Sequence, residues 1–197
     1  MGLAAGIAAL LLGAVADGWY CYQIARGAIA PALATWLIFG VATTISLLSY
    51  LKHPRNNNSL VANLANRADP IICWIIVACI MFAPRSNKSL HAFDFGCLAA
   101  AGAIVIVWAA SGSHITANLL IQLVMLVSYM PTYHRILHER RNTESFVMWG
   151  LNLVVALLFL VGPLRLRDRL GILYAARAAG STLLMLLFML YFQWVGF

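Results

Sequence analysis

Long apolar runs separated by short polar breaks dominate the hydrophobicity pattern of this chain. A helical membrane span needs about 20 residues to cross a hydrocarbon core of roughly 30 Å. Seven runs approach or reach that length: 3–24, 31–51, 70–83, 93–110, 115–133, 146–161 and 178–193. The runs are continuous and do not alternate with a period of two, so they predict spanning helices and not the strands of a barrel.

The third run is the least regular of the seven. It is short, and the longest polar stretch of the chain precedes it. Pro70 is either the first position of its helix, where a missing N–H leaves no bond unmade, or a kink in a longer helix that includes 60–65. The pattern leaves both alternatives open.

Composition makes the membrane assignment stronger. Of 197 residues, 63% are hydrophobic and 10% are charged, whereas a soluble domain of this size must turn many residues towards water. The formal net charge of +7 comes from Lys and Arg in the breaks between runs, which favours membrane lipid head groups over nucleic acid as partners. These charges divide almost evenly between the two sides, so they do not predict the orientation.

Two stretches of the chain, 19–39 and 129–151, share one layout. In each, an apolar helix ends in aromatic residues, a basic turn follows, and a hydroxyl-bearing residue leads into a new apolar helix. Aligning Trp36 with Trp149, 113 positions later, also sets Tyr20 on Tyr133 without a gap. The repeat predicts an all-α polytopic membrane protein with seven spans, arranged as two parallel triplets joined by a linker helix (3+1+3). The predicted units are 1–84, the linker 92–111, and 115–197.

The second stretch resembles the PQ-loop motif of the SWEET, SemiSWEET and PQ-loop superfamily. Pro131 takes the position of the motif's proline, and Thr132 stands where glutamine is usual. A wider resemblance, to bacterial PQ-loop-like membrane proteins, rests on residues of both stretches and on one acid at the start of the fourth run: Arg26, Gly27, Pro31, Thr35, Trp36, Asp94, Pro131, Thr132, Glu144, Ser145 and Trp149.

That resemblance implies a location in the bacterial cytoplasmic membrane and a solute cavity between the two triplets, lined by Trp and Asn side chains. It also implies that Pro131 acts as a rocking hinge. A helix end without motion fits the sequence equally well, because proline ends a helical hydrogen-bond ladder in either case.

Polar side chains within the apolar runs are the candidates for a solute site, since each needs a partner or a water-filled cavity in a bilayer. Trp149 and Asn152 share one side of the sixth run, where an amide beside an indole can hold a hydroxylated or ring-shaped solute. Trp36, the repeat mate of Trp149, and Thr43 are the candidates in the second run. Packing between helices is the alternative for all four residues.

The fifth and first runs supply further polar candidates. Asn118 and Gln122 lie on one helix face with His114, and either line a solute pathway or bond to neighbouring helices. Asp17 is the only acid in the first three runs as bounded above. It is either a solute- or proton-binding carboxylate or an interfacial acid near Arg26.

The sequence predicts neither a metal site nor a cofactor. His134 and His138 have the spacing of a metal pair on a helix, but the arginines around them would repel a cation. No GxSG or HExxH motif and no paired acids appear within the runs, so an enzyme is not expected.

The leading hypothesis is a SWEET-like facilitator for a small neutral or zwitterionic solute, working by alternating access between the two triplets. Sparse charge within the runs favours such a solute. The alternative is a non-transporting receptor or scaffold with the same fold. Because both triplets lie in one chain, a homo-oligomer is allowed but is not needed to complete the fold.

Overall fold

The computed structural model describes residues 3–51, 60–86, 88–111, 114–167 and 169–195, which form a bundle of α-helices without strands in those ranges. The helices are α1 (Leu3–Arg26), α2 (Leu33–Leu51), α3 (Leu60–Phe82), α4 (Ala92–Ala110), α5 (His114–Val127), α6 (Met130–Glu139), α7 (Phe146–Leu166) and α8 (Arg169–Trp194). A turn at 128–129 separates α5 from α6, and together these two helices match the fifth apolar run. The prediction of an all-helical protein is confirmed.

Four of these helices are long and apolar enough to cross a membrane, judged by length and composition. They are Ile7–Arg26, Ala92–Ala110, Phe146–Arg165 and Gly171–Trp194, and two shorter apolar helices cover Leu33–Leu48 and Ala68–Phe82. Large apolar side chains on the outside of the bundle are widely exposed, for example Leu11 at 63%, Ile106 at 71% and Phe82 at 83%. Exposed apolar surface on this scale suits contact with lipid and not with water. The chain is an integral membrane protein with several spans.

Several helices extend beyond the boundaries that hydropathy predicts. α3 begins at Leu60 and contains Pro70 in its interior, so the longer-helix alternative is the one observed. α8 begins at Arg169, well before the predicted start at 178, and α7 continues to Leu166. A hydropathy run ends near clusters of charged and polar residues, whereas the helical hydrogen bonds can continue through them. Asp69 and Arg177, predicted in loops, therefore lie inside helices, and Asp17 is not the only acid in the first three helices.

The helices pack in a defined order. α3 packs against both α2 and α1, and α8 packs against α7 and also contacts α5 and α6. The first three helices meet the later ones mainly through α1 against α7 and α2 against α5. α4 lies against α5, with smaller contacts to α2 and α6.

Three connections between helices meet at one end of the bundle, which we call the Arg135 end. The buried guanidinium of Arg135 donates from Nη1 to the carbonyl oxygens of Ala30 (3.2 Å) and Pro31 (3.0 Å), and from Nη2 to that of Ser89 (2.8 Å). The backbone N–H of Ala30 also donates to the carbonyl of Thr143 at 3.0 Å. The Arg135 side chain of α6 thus holds the α1–α2 connection and the α3–α4 connection together. The α6–α7 connection lies next to them.

Replacing Gly27 with alanine is expected to destabilise the protein by about 1–2 kcal/mol. Gly27 follows α1 with a φ of +69°, and a Cβ there would lie 2.9 Å from the Cβ of Arg85. The melting temperature in detergent is the measurement. Gly18→Ala in α1 is the control, because no atom lies within 4 Å of its added Cβ, and it should keep or raise stability. An unchanged melting temperature for Gly27→Ala would contradict the expectation.

Candidate functional site

Five buried aromatic side chains form a layer next to the Arg135 end, which we call the aromatic layer. Its members come from α1, α2, the α5–α6 turn and α7: Tyr20, Trp36, Phe39, Tyr129 and Trp149. Neighbouring ring centroids lie 5.1–6.5 Å apart, the range in which aromatic pairs attract each other. Trp36 and Trp149 are each the fourth residue of their helix, and their rings meet at 6.5 Å. The two residues aligned by the repeat are therefore in contact.

A buried carboxylate joins this layer by hydrogen bonds. Glu144 lies between α6 and α7 and is 3% exposed. Its Oε2 accepts from the Tyr20 hydroxyl at 2.6 Å and from the Trp149 indole at 3.0 Å, and the Trp36 indole donates to the Tyr20 hydroxyl at 3.1 Å. Its Oε1 has no hydrogen-bond partner among the described residues.

The same environment changes the acidity of Glu144. Burial raises the pKa of Glu144 to about 7, while the hydrogen bonds from Tyr20 and Trp149 and the charge of Arg135 act in the opposite direction. A carboxyl with such a pKa changes its protonation within the physiological range. The unbonded Oε1 is the atom that can take the proton while Oε2 goes on accepting its two hydrogen bonds.

Local sequence chemistry fixes the backbone on both sides of Glu144. The Asn142 amide donates to the Glu144 carbonyl and accepts from the Glu144 N–H, both at 3.0 Å. Ser145 caps α7 by accepting from the N–H of Met148 at 3.3 Å, as expected for serine at an N-cap. These turn and cap residues direct the carboxylate into the bundle.

The residues in the motif's Pro-Gln positions lie beside this layer. Thr132 is fully buried, and its hydroxyl lies 2.8 Å from that of Thr35 on α2. Pro131 is in the first turn of α6, directly after the break at 128–129, so its missing N–H leaves no helical bond unmade. This geometry fits a hinge and a static helix end equally, and the hinge at Pro131 stays a prediction.

A second set of polar residues, which we call the central polar group, lies deeper in the bundle. Its members are Thr43 and Ser46 of α2, Asp69 of α3, Gln122 of α5, and Tyr174 and Arg177 of α8. A cavity of about 10 Å³, room for one water molecule, lies against several of them. The residues that line it are Ala42, Thr43, Ser46, Asp69, Ile121, Met125 and Tyr174.

The central polar group lies near the middle of the helices that carry it. Thr43, Asp69, Gln122 and Arg177 are each eight or nine residues from the helix terminus that is remote from the Arg135 end. At 1.5 Å per residue this depth is about 12 Å along the helix axes. Polar groups inside a bundle of spanning helices are costly and therefore mark function more often than surface groups do.

The charged side chains of this group have polar and aromatic neighbours. The Nε of Arg177 donates to the Gln122 side-chain oxygen at 2.6 Å, and its guanidinium lies 5.2 Å from the centre of the Tyr174 ring. The Arg177 side chain also hydrogen-bonds with Tyr129, and Tyr174 hydrogen-bonds with the Asp69 carboxyl. Asp69 lies within electrostatic range of Arg177 and of Asp17 of α1. No ion pair closer than 4.0 Å joins Arg177 to either acid, since within the described ranges the single such pair is at the surface, between Arg141 and Glu139.

The predicted site residues divide between the aromatic layer and the central polar group. Trp36 and Trp149 belong to the layer, and the indole N–H of each already has a partner. Asn152 lies one turn further along α7, where its amide donates to the Met148 sulfur at 2.9 Å. Whether Trp149 and Asn152 contact a solute stays a prediction.

The remaining predicted residues lie in or near the central polar group. Gln122 holds Arg177, and Thr43 lines the cavity while donating to the Phe39 carbonyl of its own helix at 2.8 Å. Asp17 lies within electrostatic range of Asp69. Asn118 is in α5, but its side chain lies outside what the structure describes.

Sequence reasoning missed Glu144 as a network centre and Asp69, Tyr174 and Arg177 as site residues. A signal for Asp69 was present, because Cys73, Ile76 and Ile80 are buried at helical spacing and the same face continues back through Pro70 to Asp69. For Glu144, the residue type alone did not show that its carboxylate turns inwards.

Comparison of the chain with protein-family models, with curated proteins and with solved structures yields no match.

Proposed function

We propose that this protein is a membrane transporter that moves a small neutral or zwitterionic solute by alternating access, in the manner of the SWEET and PQ-loop superfamily it resembles. The observation that supports this most directly is the small cavity inside the bundle, which Thr43, Ser46, Asp69 and Tyr174 help to line. Its walls come from α2 and α3 on one side of the repeat and from α5 and α8 on the other. Transporters built from repeats bind their solutes between the repeats.

The packing of the helices supports the proposed 3+1+3 arrangement of 1–84, 92–111 and 115–197. In the first unit α3 contacts both α1 and α2, and in the second α8 contacts both α7 and the α5–α6 pair. The last helix of each triplet thus pairs with the two before it. The location that goes with this proposal is a bacterial cytoplasmic membrane.

The aromatic layer would then be the closed gate between the cavity and the Arg135 end. Side-chain hydrogen bonds cross between the proposed triplets here, from Tyr20 of the layer to Glu144 and between Thr35 and Thr132 beside the layer. Alternating access requires both contacts to part when the gate opens, and Pro131 lies where α6 would bend.

A disulfide across the gate is expected to stop transport. Thr35 and Thr132 have hydroxyls 2.8 Å apart, so Thr35→Cys with Thr132→Cys places two thiols within bonding reach. In proteoliposomes, oxidation of the double variant should reduce solute counterflow at least tenfold, and reduction should restore it. Each single variant, treated with the same oxidant, controls for the four native cysteines.

The solute for that assay comes from a thermal-shift screen against sugars, amino acids, nucleosides and vitamins, because a ligand of the folded state raises the melting temperature. Trp149→Ala and Asn152→Ala then test whether these residues contact the ligand. Undiminished counterflow through the crosslinked protein would exclude a gate at this end. Absence of any ligand and of any counterflow, with folded protein, would exclude transport.

A non-transporting receptor or scaffold is the second candidate. The observation that favours it is the completeness of the aromatic layer, where Trp36, Trp149 and Tyr20 are packed and hydrogen-bonded to protein groups. Such a protein would bind a ligand or partner without counterflow, and the oxidised disulfide would leave that binding unchanged.

A further inference from the structure

A groove on the lipid-facing side of the bundle is far larger than the central cavity. It lies between α2, α4 and α5, and its volume is about 290 Å³, near the lower limit of roughly 300 Å³ for pockets that hold small organic ligands. Only apolar residues line it: Leu37, Ile38, Val41, Leu98, Ala101, Gly102, Val105 and Val124. Because a water molecule needs polar partners that this lining does not offer, the groove suits an apolar occupant.

The groove exists because α4 carries small residues opposite α2. Ala101 and Gly102 stand where larger side chains would fill the space beside Ile38, and a Cβ added to Gly102 would have no atom within 4 Å. Ile38 and Val124 on the floor are buried, whereas Val41 at the rim is 40% exposed. The groove is therefore open on the side that faces lipid.

The depth of the groove along α4 is that of lipid chains. α4 has 19 residues, so it is about 28 Å long, close to the roughly 30 Å of a hydrocarbon core. Its first residue, Ala92, lies at the Arg135 end, and Leu98 and Val105 follow at about 9 Å and 20 Å along the axis. An acyl chain whose head group lies at the Arg135 end reaches this depth.

The face of α4 that lines the groove ends at polar side chains. From Leu98 the helical spacing of three or four residues leads back through Asp94 to His91, the N-cap of α4. The centre of the His91 ring lies 5.4 Å from that of His138 and 6.3 Å from that of His134. No three side chains in the described part of the chain converge as metal ligands do. These rings instead offer N–H groups that can donate to the oxygens of an anion.

The exposed charge around this end of the groove is positive. Arg85 and Lys88 are exposed in the connection that leads into α4. Of the acids that the structure describes at the Arg135 end, Asp94 and Glu144 are buried and Glu139 is held in an ion pair. An anionic head group is therefore complementary in charge to the surface beside the groove.

We infer that the groove holds one acyl chain of an anionic phospholipid, whose phosphate lies against His91 and the basic α3–α4 connection. Lipid surrounds the groove in any case, so the chain gains closer packing there and no hydrophobic transfer energy. The charged head group supplies the selectivity. The bound lipid fills the space between α2 and α4 and fastens the proposed linker helix to the bundle. This site is separate from the central cavity and does not depend on transport.

Titration of the full chain in detergent with lipid, followed by native mass spectrometry, tests the site. Dioleoyl phosphatidylglycerol is compared with dioleoyl phosphatidylcholine, which has the same chains and no net charge. We expect one phosphatidylglycerol molecule to bind about tenfold more tightly than phosphatidylcholine. Glycerol 3-phosphate, an anion without chains, should not displace it. Displacement by glycerol 3-phosphate as effective as that by the lipid would show that the groove takes no part, and would overturn the inference.

Filling the groove distinguishes a lipid bound there from lipid elsewhere on the bundle. Gly102→Leu places a side chain in the open space and should weaken phosphatidylglycerol binding about fivefold. Gly96→Leu is the matched control, because it lies in the same helix, its added Cβ also has no atom within 4 Å, and it does not line the groove. It should leave the affinity unchanged. Equal affinities for the two variants would overturn the groove as the site.

Removing the basic side chains tests the position of the head group. Arg85→Gln combined with Lys88→Gln should abolish the preference for phosphatidylglycerol and leave the affinity for phosphatidylcholine unchanged. Arg165→Gln combined with Arg169→Gln removes two exposed charges at the opposite end of the bundle and should keep the preference. A preference that survives the first pair would overturn the placement of the phosphate.

A second copy of this chain is the competing occupant of the groove. A dimer formed through the groove would appear at twice the mass of one chain, and Gly102→Leu would separate it whereas Gly96→Leu would not. That result, with no lipid retained by the unaltered protein, would overturn the lipid in favour of a dimer interface.

Discussion

Replacing Arg135 with lysine is expected to lower stability by about 3 kcal/mol. The guanidinium is 2% exposed and gives three hydrogen bonds to carbonyls of two different connections, at 2.8–3.2 Å. A lysine ammonium is a compact donor on a flexible stem, so it cannot reach all three carbonyls as a planar fork does. The carbonyl oxygens that the ammonium does not reach would be buried without a hydrogen-bond donor.

Arg141→Lys is the control for this change, because it makes the same substitution nearby on a side chain that is 72% exposed. An exposed ion pair contributes little, so its melting temperature should stay within about 2 °C of the unaltered protein. Arg135→Lys should melt roughly 6–12 °C lower. Equal melting temperatures for the two variants would show that the Arg135 bonds do not hold the connections together.

The sequence predicted the helices well because the signal for a span is strong and local. Each of the seven apolar runs contains a helix. The ends of the helices were predicted poorly. Hydropathy marks the part of a segment that is apolar. A helix instead ends where its backbone hydrogen bonds end or where a residue caps it. This is why α8 begins at Arg169 and not at 178.

The candidate site was predicted only in part, for the same physical reason. Gln122 and Thr43 were predicted because a polar residue within an apolar run can be recognised from the sequence alone. Asp69 and Arg177 were assigned to loops because they border their runs. Their interaction joins α3 to α8, residues far apart in the chain, and no pattern in a single sequence reports such a pair. The Glu144 carboxylate likewise points into the bundle towards a residue far away in the chain, the Tyr20 hydroxyl of α1 that donates to it.

Glu144→Gln is expected to make the protein more stable at pH 8 and to leave its stability almost unchanged below pH 4.5. Burial raises the pKa of Glu144 to about 7 from an ordinary value of 4.5. Between these two values the folded protein holds a proton that the unfolded chain has released. Stability therefore falls as pH rises through this window and levels off above about pH 7, by at most about 3 kcal/mol.

The amide of the variant accepts from Tyr20 and Trp149 as the carboxyl oxygen does, and it does not ionise, so this loss is absent. Melting curves at several pH values, followed by tryptophan fluorescence, measure the difference between the two proteins. Any other group that changes its protonation does so in both proteins, so only the difference between them reports Glu144.

Glu139→Gln is the matched control, since it makes the same change nearby, at the last residue of α6, on the partner of the exposed Arg141. Its melting temperature should follow the unaltered protein at every pH. The groups that face Glu144 are the Tyr20 hydroxyl from α1, the Trp149 indole from α7 and the charge of Arg135 from α6. If Arg135 outweighed burial, Glu144 would stay ionised when folded, and Glu144→Gln would destabilise the protein most at high pH. The sign of the difference at pH 8 therefore decides which of the two effects controls this carboxyl.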